Sequence, residues 1–233
     1  MSTTQEADRA GIGSRTIAAL VTPSLAFGDS AGPPSWRIAA LAACALTWVG
    51  VLLSEPIIAH VLLAPDGALA RSGVLNAGTE SSIRAILWVQ VALAPIGVAF
   101  TAAWYFSAMV LVAVLMARTN LARLLWGLSV HGALISTAVV ALLAGAIGRL
   151  RPLNEFASAS DMYRIIPSLA FLSTSSNPHV LALLASVNPV LVWAAVVLYT
   201  GFRKITALGA VPSTLAVAAA IIPGVALSSL MAR

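Results

Sequence analysis

The chain has 233 residues, of which 60% are hydrophobic and 9% are charged. Globular domains carry about 25% charged residues, so this composition excludes an ordinary soluble domain. The formal charge of +5 does not indicate nucleic-acid binding, because the thirteen Lys and Arg residues are scattered and form no basic stripe. A single cysteine, Cys44, excludes an intrachain disulfide and a cysteine metal cluster.

Five long windows without any charged residue are the main evidence for the fold class. A bilayer core is crossed by roughly 20 apolar residues, and a charge at its centre costs about 2.5 kcal/mol or more. We therefore expect an all-α, polytopic membrane protein with a five-helix transmembrane bundle. The uncharged windows are residues 38–54, 85–117, 124–148, 165–202 and 205–232.

The membrane domain is predicted to cover residues 36–233, preceded by a cytoplasmic N-terminal tail over residues 1–35. Apolar residues from Ile17 to Leu25 recur at helical spacing, so this part of the tail could lie on the membrane surface as an interfacial helix. For residues 1–14 a plain flexible tail fits equally well.

Proline and glycine set the expected limits and hinges of the spans. The second span lies in an uncharged window that would be roughly 50 Å long as one helix, well beyond a core of about 30 Å. Pro95 and Gly97 are therefore predicted to kink or break it, and Pro189 and Pro223 are hinge candidates in the last two spans. The spans are predicted at about 36–58, 92–116, 124–147, 180–202 and 211–231.

Positive residues in the short loops indicate the orientation. Residues 117–123 and 203–210 each carry two cations and no anion. Because such loops favour the cytoplasmic side, we expect the N-terminus inside and the C-terminus outside. The cytoplasmic cations would be Arg9, Arg15, Arg37, Arg118, Arg123, Arg203 and Lys204.

Three stretches resemble bacterial Yip1-domain membrane proteins. They are "IAALVTPSLAFGDSAGPPSWRIAALAA" at the start, "LARLLWGLSVHGALISTAVVALLAG" in the third span and "LLASVNPVLVWAAVVLYTGFRKITALG" in the fourth. The resemblance covers residues 16–232 in order and in span count, but Asn188 and Pro189 stand where an acidic and an apolar residue are common. It implies a five-helix bundle with a cytoplasmic N-terminus in the bacterial inner membrane. Eukaryotic relatives are associated with traffic and small GTPases, but the sequence itself does not support a GTPase partner.

Three polar residues are predicted to lie inside the membrane. His131 is the sharpest candidate, since an ionisable group in a span is costly and usually faces a cavity or a polar partner. It would act either as a neutral residue hydrogen-bonded to a neighbouring helix or as a substrate, proton or metal site. Gln90 is expected to make an interhelical hydrogen bond, and a role in transport is the alternative. Asn188, followed by Pro189, either caps a helix or unwinds one to expose carbonyl groups.

Possible enzyme and metal sites fail on spacing. Glu55 and His60 could pair on the outer face, but loop-end charges explain them more simply, and no third ligand has a recognised spacing. Asp66, Gly67 and Arg71 match part of a CDP-alcohol phosphotransferase pattern whose other carboxylates are missing. We expect no catalytic residue, no metal and no cofactor.

The sequence thus predicts a non-enzymatic inner-membrane protein that organises or shapes the membrane or acts as a scaffold. Its partners would be membrane lipids and, through self-association or contact with other membrane proteins, further chains. The alternative is a small transporter or channel subunit that works as an oligomer, which the many Gly and Ala residues permit.

Overall fold

The computed structural model describes residues 12–21, 26–27, 35–63, 79–156 and 158–232, and every regular element in these ranges is helical. The predicted all-α class is therefore confirmed. Helix α4 contains a π-helical segment, Leu134–Val139, and three short 3-10 helices follow it. The helices are α1 (Ile12–Val21), α2 (Trp36–Leu63), α3 (Thr79–Leu115), α4 (Ala122–Leu150), α5 (Pro178–Ser186), α6 (Pro189–Thr206) and α7 (Ala210–Met231).

Several helices are long and apolar enough to cross a membrane. Four pass this test: α2, the Trp88–Leu115 part of α3, α4 and α7. Helices α5 and α6 pass it only as a pair, and they are bent by 49° relative to each other. The chain therefore has the helices of a multi-pass membrane protein, with four spans or up to five.

The first two spans are longer than predicted. Helix α2 runs through Pro56 to Leu63, beyond the expected end near residue 58. Its last turns are stabilised by tertiary packing, because Ile57 and Val61 are buried in a cluster with Phe156. The sequence around Pro56 gives no information about this tertiary packing, so the predicted end of the helix came too early.

Helix α3 is continuous through Pro95, so of the two predicted outcomes, a kink or a break, the break does not occur. A proline has no N–H group for the carbonyl four residues earlier, which here belongs to Val91. The indole Nε1 of Trp48 on α2 donates to that carbonyl at 2.9 Å. A side chain from the neighbouring helix thus replaces the missing hydrogen bond. Gly97, the other predicted hinge, lies within the same continuous helix.

Small residues bring α2 and α4 close together. A Cβ atom added to Gly50 would lie 2.6 Å from the backbone nitrogen of Leu142, and one added to Gly145 would lie 2.9 Å from Cβ of Leu53. Trp36 contacts Trp126 near one end of the pair, with ring centroids 6.2 Å apart. The two helices therefore run in the same direction and cross in van der Waals contact.

Two short connections lie at one end of the bundle, which we call the short-loop end. They are residues 116–121 and 207–209. The largest hydrophobic cluster lies beside them and includes the buried side chains of Met109, Leu125 and Phe202. Residues 151–156 and 158–177 lie at the opposite end of the helices.

The described part of the N-terminal segment packs against the bundle and forms a helix where an interfacial helix was predicted. Ala19 is fully buried, and the carbonyl of Leu20 accepts a hydrogen bond from Nε1 of Trp193 at 2.9 Å. Trp193 lies thirteen residues before the end of α6 at Thr206, about 20 Å from the short-loop end. The segment therefore reaches the middle of the bundle.

Candidate functional site

A cavity of about 540 Å³ lies between α3, α4, the α5–α6 junction and α7. This volume is in the range of about 300–1,000 Å³ that is typical of small-molecule sites. None of its twenty lining residues is Asp, Glu, Lys, Arg or His. The lining combines apolar and aromatic side chains with hydroxyl groups, so the cavity is uncharged but not purely apolar.

The cavity begins near the middle of the bundle and lies on the side away from the short-loop end. Ser136 is fourteen residues beyond the start of α4 at Ala122, which corresponds to about 20 Å. Ala220 lies ten residues into α7, or about 15 Å. Between this level and the short-loop end, the buried side chains of Met109, Leu125 and Phe202 pack together in one hydrophobic cluster. The cavity therefore has a closed floor.

One hydroxyl pair crosses the cavity wall. The phenol of Tyr105 donates to Oγ of Ser136 at 3.0 Å. By contrast, Thr101 donates to the carbonyl of Gly97 in its own helix at 3.0 Å. Within the described part of the chain, no hydrogen bond is made by the hydroxyl proton of Ser136 or by the phenol of Tyr163. These two groups are available to a ligand.

Irregular backbone places these residues around a space. Ser136 belongs to the π-helical segment of α4, and such segments occur frequently at functional sites. On α7, Pro223 removes a helical hydrogen bond next to the cavity. Nε1 of Trp104 donates to the carbonyl of Ala220, one turn earlier, at 2.9 Å. The carbonyl that Pro223 leaves without a helical donor is that of Ala219, four residues earlier, so this bond does not replace the missing one. Helix α7 is nevertheless continuous through Pro223, a predicted hinge.

Asn188 caps helix α6, which confirms the cap prediction over the unwound one. Its Oδ1 accepts from the backbone N–H of Leu191 at 2.9 Å, and Pro189 occupies the first turn. Its Nδ2 donates to the carbonyl of Ala185 at 3.0 Å. The 49° bend between α5 and α6 falls immediately before this cap. Asn188 lines the cavity, but its amide is occupied by the backbone.

Helix α5 is fastened to α7 by a pair of reciprocal hydrogen bonds. Nδ1–H of His179 donates to the carbonyl of Ser229 at 2.8 Å, and Oγ of Ser229 donates to the carbonyl of His179 at 2.9 Å. These bonds link α5 to α7 near the end of the cavity that is farthest from the short-loop end. The sequence analysis did not single out either residue.

His131 is fully buried, but it does not line the cavity and makes no hydrogen bond to a neighbouring helix among the described residues, so that prediction is wrong. Its Nδ1–H donates to the carbonyl of Gly127 in its own helix at 2.7 Å. Its Nε2 has no hydrogen-bond partner in the described part of the chain. Its ring and that of Phe27 pack in a T-shaped arrangement, with ring centroids 5.8 Å apart. The described surroundings of His131 are therefore those of a packed core residue.

The other sequence candidates lie on exposed surfaces. Gln90 is on an exposed face of α3, so its side chain is not buried between helices as the predicted bond requires. Glu55 and His60 are exposed on α2. The described residues contain no group of three or more His, Cys, Asp or Glu that could hold a metal ion. Asp66, Gly67 and Arg71 lie outside the described residues.

The cavity residues that sequence reasoning missed are mainly Trp104, Tyr105, Ser136 and Tyr163. A signal for two of them was present, because Tyr105 and Ser136 are polar groups near the middle of long uncharged windows. Serine in a membrane helix commonly bonds to its own backbone, which makes this signal easy to dismiss. Comparisons with models of known families, with curated proteins and with solved structures found no match to this chain.

Proposed function

We propose that this chain is a non-enzymatic Yip1-type protein of the bacterial inner membrane that organises the membrane or acts as a scaffold. The observation that supports this most is the closed floor of the cavity. A binding site that ends inside the bundle suits the recognition of a membrane component. Within the described part of the chain, the cavity does not continue to the short-loop end.

The floor of the cavity is formed by tightly packed side chains. Met109 and Phe202 are 0% exposed and Leu125 is 1% exposed. They interdigitate in one cluster, and interiors of this kind tolerate few voids larger than a water molecule. Passage of a solute toward the short-loop end would require several of these side chains to move together.

The proposed arrangement has five spans, with the N-terminus inside and the C-terminus outside. It is supported by the exposed cations of the short-loop end, such as Arg118 and Arg203, which the positive-inside rule assigns to the cytoplasm. Thr119 and Thr174 are exposed and lie toward opposite ends of the bundle. In a Cys44→Ala background, Thr174→Cys in intact spheroplasts should react with an impermeant thiol reagent, whereas Thr119→Cys should not. Preferential reaction at residue 119 would reverse the orientation.

A transporter or channel subunit is the second candidate, and two features of the same cavity favour it. The π-helical segment of α4 and the bent α5–α6 pair are irregular elements at membrane depth. Broken helices of this type form substrate sites in secondary transporters. An oligomer or a second conformation would be needed to open the floor.

Reconstitution separates the two candidates. We expect vesicles containing the purified chain to show no protein-dependent flux of protons or K⁺, and to change in diameter or shape as the protein-to-lipid ratio rises. Protein-dependent flux would favour the transporter, particularly if Gly224→Leu, placed in the cavity wall, abolished it. Vesicles with neither flux nor altered shape would contradict a membrane-shaping role and leave scaffolding to be tested by crosslinking in the native membrane.

A further inference from the structure

We propose that the cavity binds one molecule of a neutral lipid, an amphiphile with an uncharged hydroxyl or ester head and apolar chains, which enters sideways from the bilayer. This inference goes beyond the proposed function and does not depend on a Yip1-type role. It rests on the charge of the lining, on two hydroxyl groups that can still bond to a ligand among the described residues, and on the position of the opening.

The charge of the lining excludes an ionic headgroup. All twenty lining residues are uncharged, and the cavity lies at membrane depth. A phosphate or ammonium group placed there would lose its hydration without gaining an opposite charge. An uncharged head loses far less on entering, because one or two hydrogen bonds replace those that it made to water.

Ser136 and Tyr163 supply those hydrogen bonds. Ser136 already accepts from Tyr105, which fixes the position of its oxygen, and its own proton can be donated to a ligand oxygen. Tyr163 lines the cavity from the segment that follows α4, and its phenol can donate or accept. A hydroxyl or ester oxygen matches both groups.

The opening faces the lipid side of the bundle. Phe100 on α3 and Leu227 on α7 line the cavity and are also 68% and 53% exposed on the outer surface. Gly224 lies beside them, and a Cβ atom added there would meet no atom within 4 Å. A lipid chain can therefore pass between α3 and α7, where a water-soluble ligand would first have to enter the membrane.

Two glycines provide a matched pair of variants. Gly224→Leu places a side chain in the wall of the cavity, at a position with room for it. Gly97→Leu makes the same change in α3, also with no atom within 4 Å of the added Cβ, at an exposed residue that does not line the cavity. Both glycines follow a proline by one or two residues, so the two changes alter helix propensity similarly.

Native mass spectrometry of the full chain in detergent, with added 1,2-dioctanoylglycerol, tests the proposal. We expect one bound diacylglycerol on the wild type and on Gly97→Leu, and a loss of about tenfold or more in affinity for Gly224→Leu. Dioctanoylphosphatidylglycerol, which has the same chains and an anionic head, should bind about tenfold more weakly than diacylglycerol. Ser136→Ala should weaken diacylglycerol binding about threefold to tenfold, the loss expected for one hydrogen bond.

Three results would overturn the proposal. The first is undiminished binding to Gly224→Leu. The second is equal weakening by Gly97→Leu, and the third is equal binding of the anionic lipid, since both would indicate unspecific adsorption to the bundle surface. Thermal unfolding of each variant shows whether it is folded. If Gly224→Leu is unfolded, the comparison of Ser136→Ala with the wild type decides between the site and adsorption.

Discussion

The hydrogen bond from Trp48 to the carbonyl of Val91 should stabilise the folded protein only when Pro95 is present. Trp48→Phe keeps an aromatic ring and removes the indole donor. In lipid no water is available to replace that donor, so the carbonyl is left unsatisfied. Leaving a buried acceptor unpaired costs about 1–3 kcal/mol, and because Trp48 is 43% exposed we expect a loss near the lower end, about 1 kcal/mol.

The double variant gives the decisive result. Pro95→Ala restores the N–H group that the carbonyl of Val91 lacks, so the indole becomes dispensable. Trp48→Phe should then cost about 0–0.3 kcal/mol in the Pro95→Ala background, and the cycle should show a coupling energy of about 1 kcal/mol. The assay is equilibrium unfolding in mixed micelles of a detergent and dodecyl sulfate, followed by circular dichroism.

Trp88→Phe is the matched control for this cycle. Trp88 is 67% exposed on the same helix as Val91, and its indole makes no hydrogen bond to a described residue. We expect it to change stability by less than about 0.5 kcal/mol in both backgrounds. If Trp48→Phe costs the same in the wild type as in the Pro95→Ala background, the indole does not compensate for the proline and the explanation of the continuous helix fails.

Three further perturbations test other contacts. Gly50→Ala should destabilise the protein by about 1–3 kcal/mol, because the added Cβ meets the α4 backbone. Gly97→Ala, where the added Cβ is in open space, should stabilise it by up to about 1 kcal/mol. Equal effects of the two variants in thermal unfolding would contradict the close helix crossing. His131→Leu should unfold within about 1 kcal/mol of the wild type, because it removes a nitrogen that has no hydrogen-bond partner among the described residues. His131→Gln should be less stable because it adds buried amide protons. The opposite order in the same assay would indicate a polar partner for His131. Asn188→Ala should cost about 0.5–2 kcal/mol through loss of the cap to Leu191, and Asn188→Asp, which keeps the accepting oxygen, should retain part of it; chemical unfolding in which Asp is no better than Ala would argue against the cap.

The sequence predicted which segments contact lipid better than it predicted the contacts between helices. Missing charges over long windows report contact with lipid, and the structure has long apolar helices in the windows that contain the first, second, third and fifth predicted spans. The cap at Asn188 was also predictable, because it depends on residues that are neighbours in the chain. Such signals require no knowledge of how the helices are arranged.

The errors at Pro95 and in the cavity have one physical cause, which is that the decisive partner lies far away in sequence. Pro95 was expected to kink or break its helix. The donor that replaces its N–H belongs to Trp48, forty-three residues before Val91 in the chain, so the sequence near Pro95 does not reveal it. His131 shows the reverse case, since it was expected to reach another helix and its carbonyl partner is in its own. The cavity arises because the surfaces of the surrounding helices do not fit together completely. This fit depends on several helices at once and cannot be read from the sequence of one of them.

The position of Leu20 has a consequence for biosynthesis. Its carbonyl is bonded to Trp193, which leaves the ribosome 173 residues later. Until α6 has been made and inserted, that carbonyl and the apolar face around Ala19 have no final place in the bundle. Although the N-terminal segment is synthesised early, we expect it to be among the last parts of the chain to reach its final position in the bundle. During that interval, the membrane insertion machinery would have to shelter it from unproductive contacts.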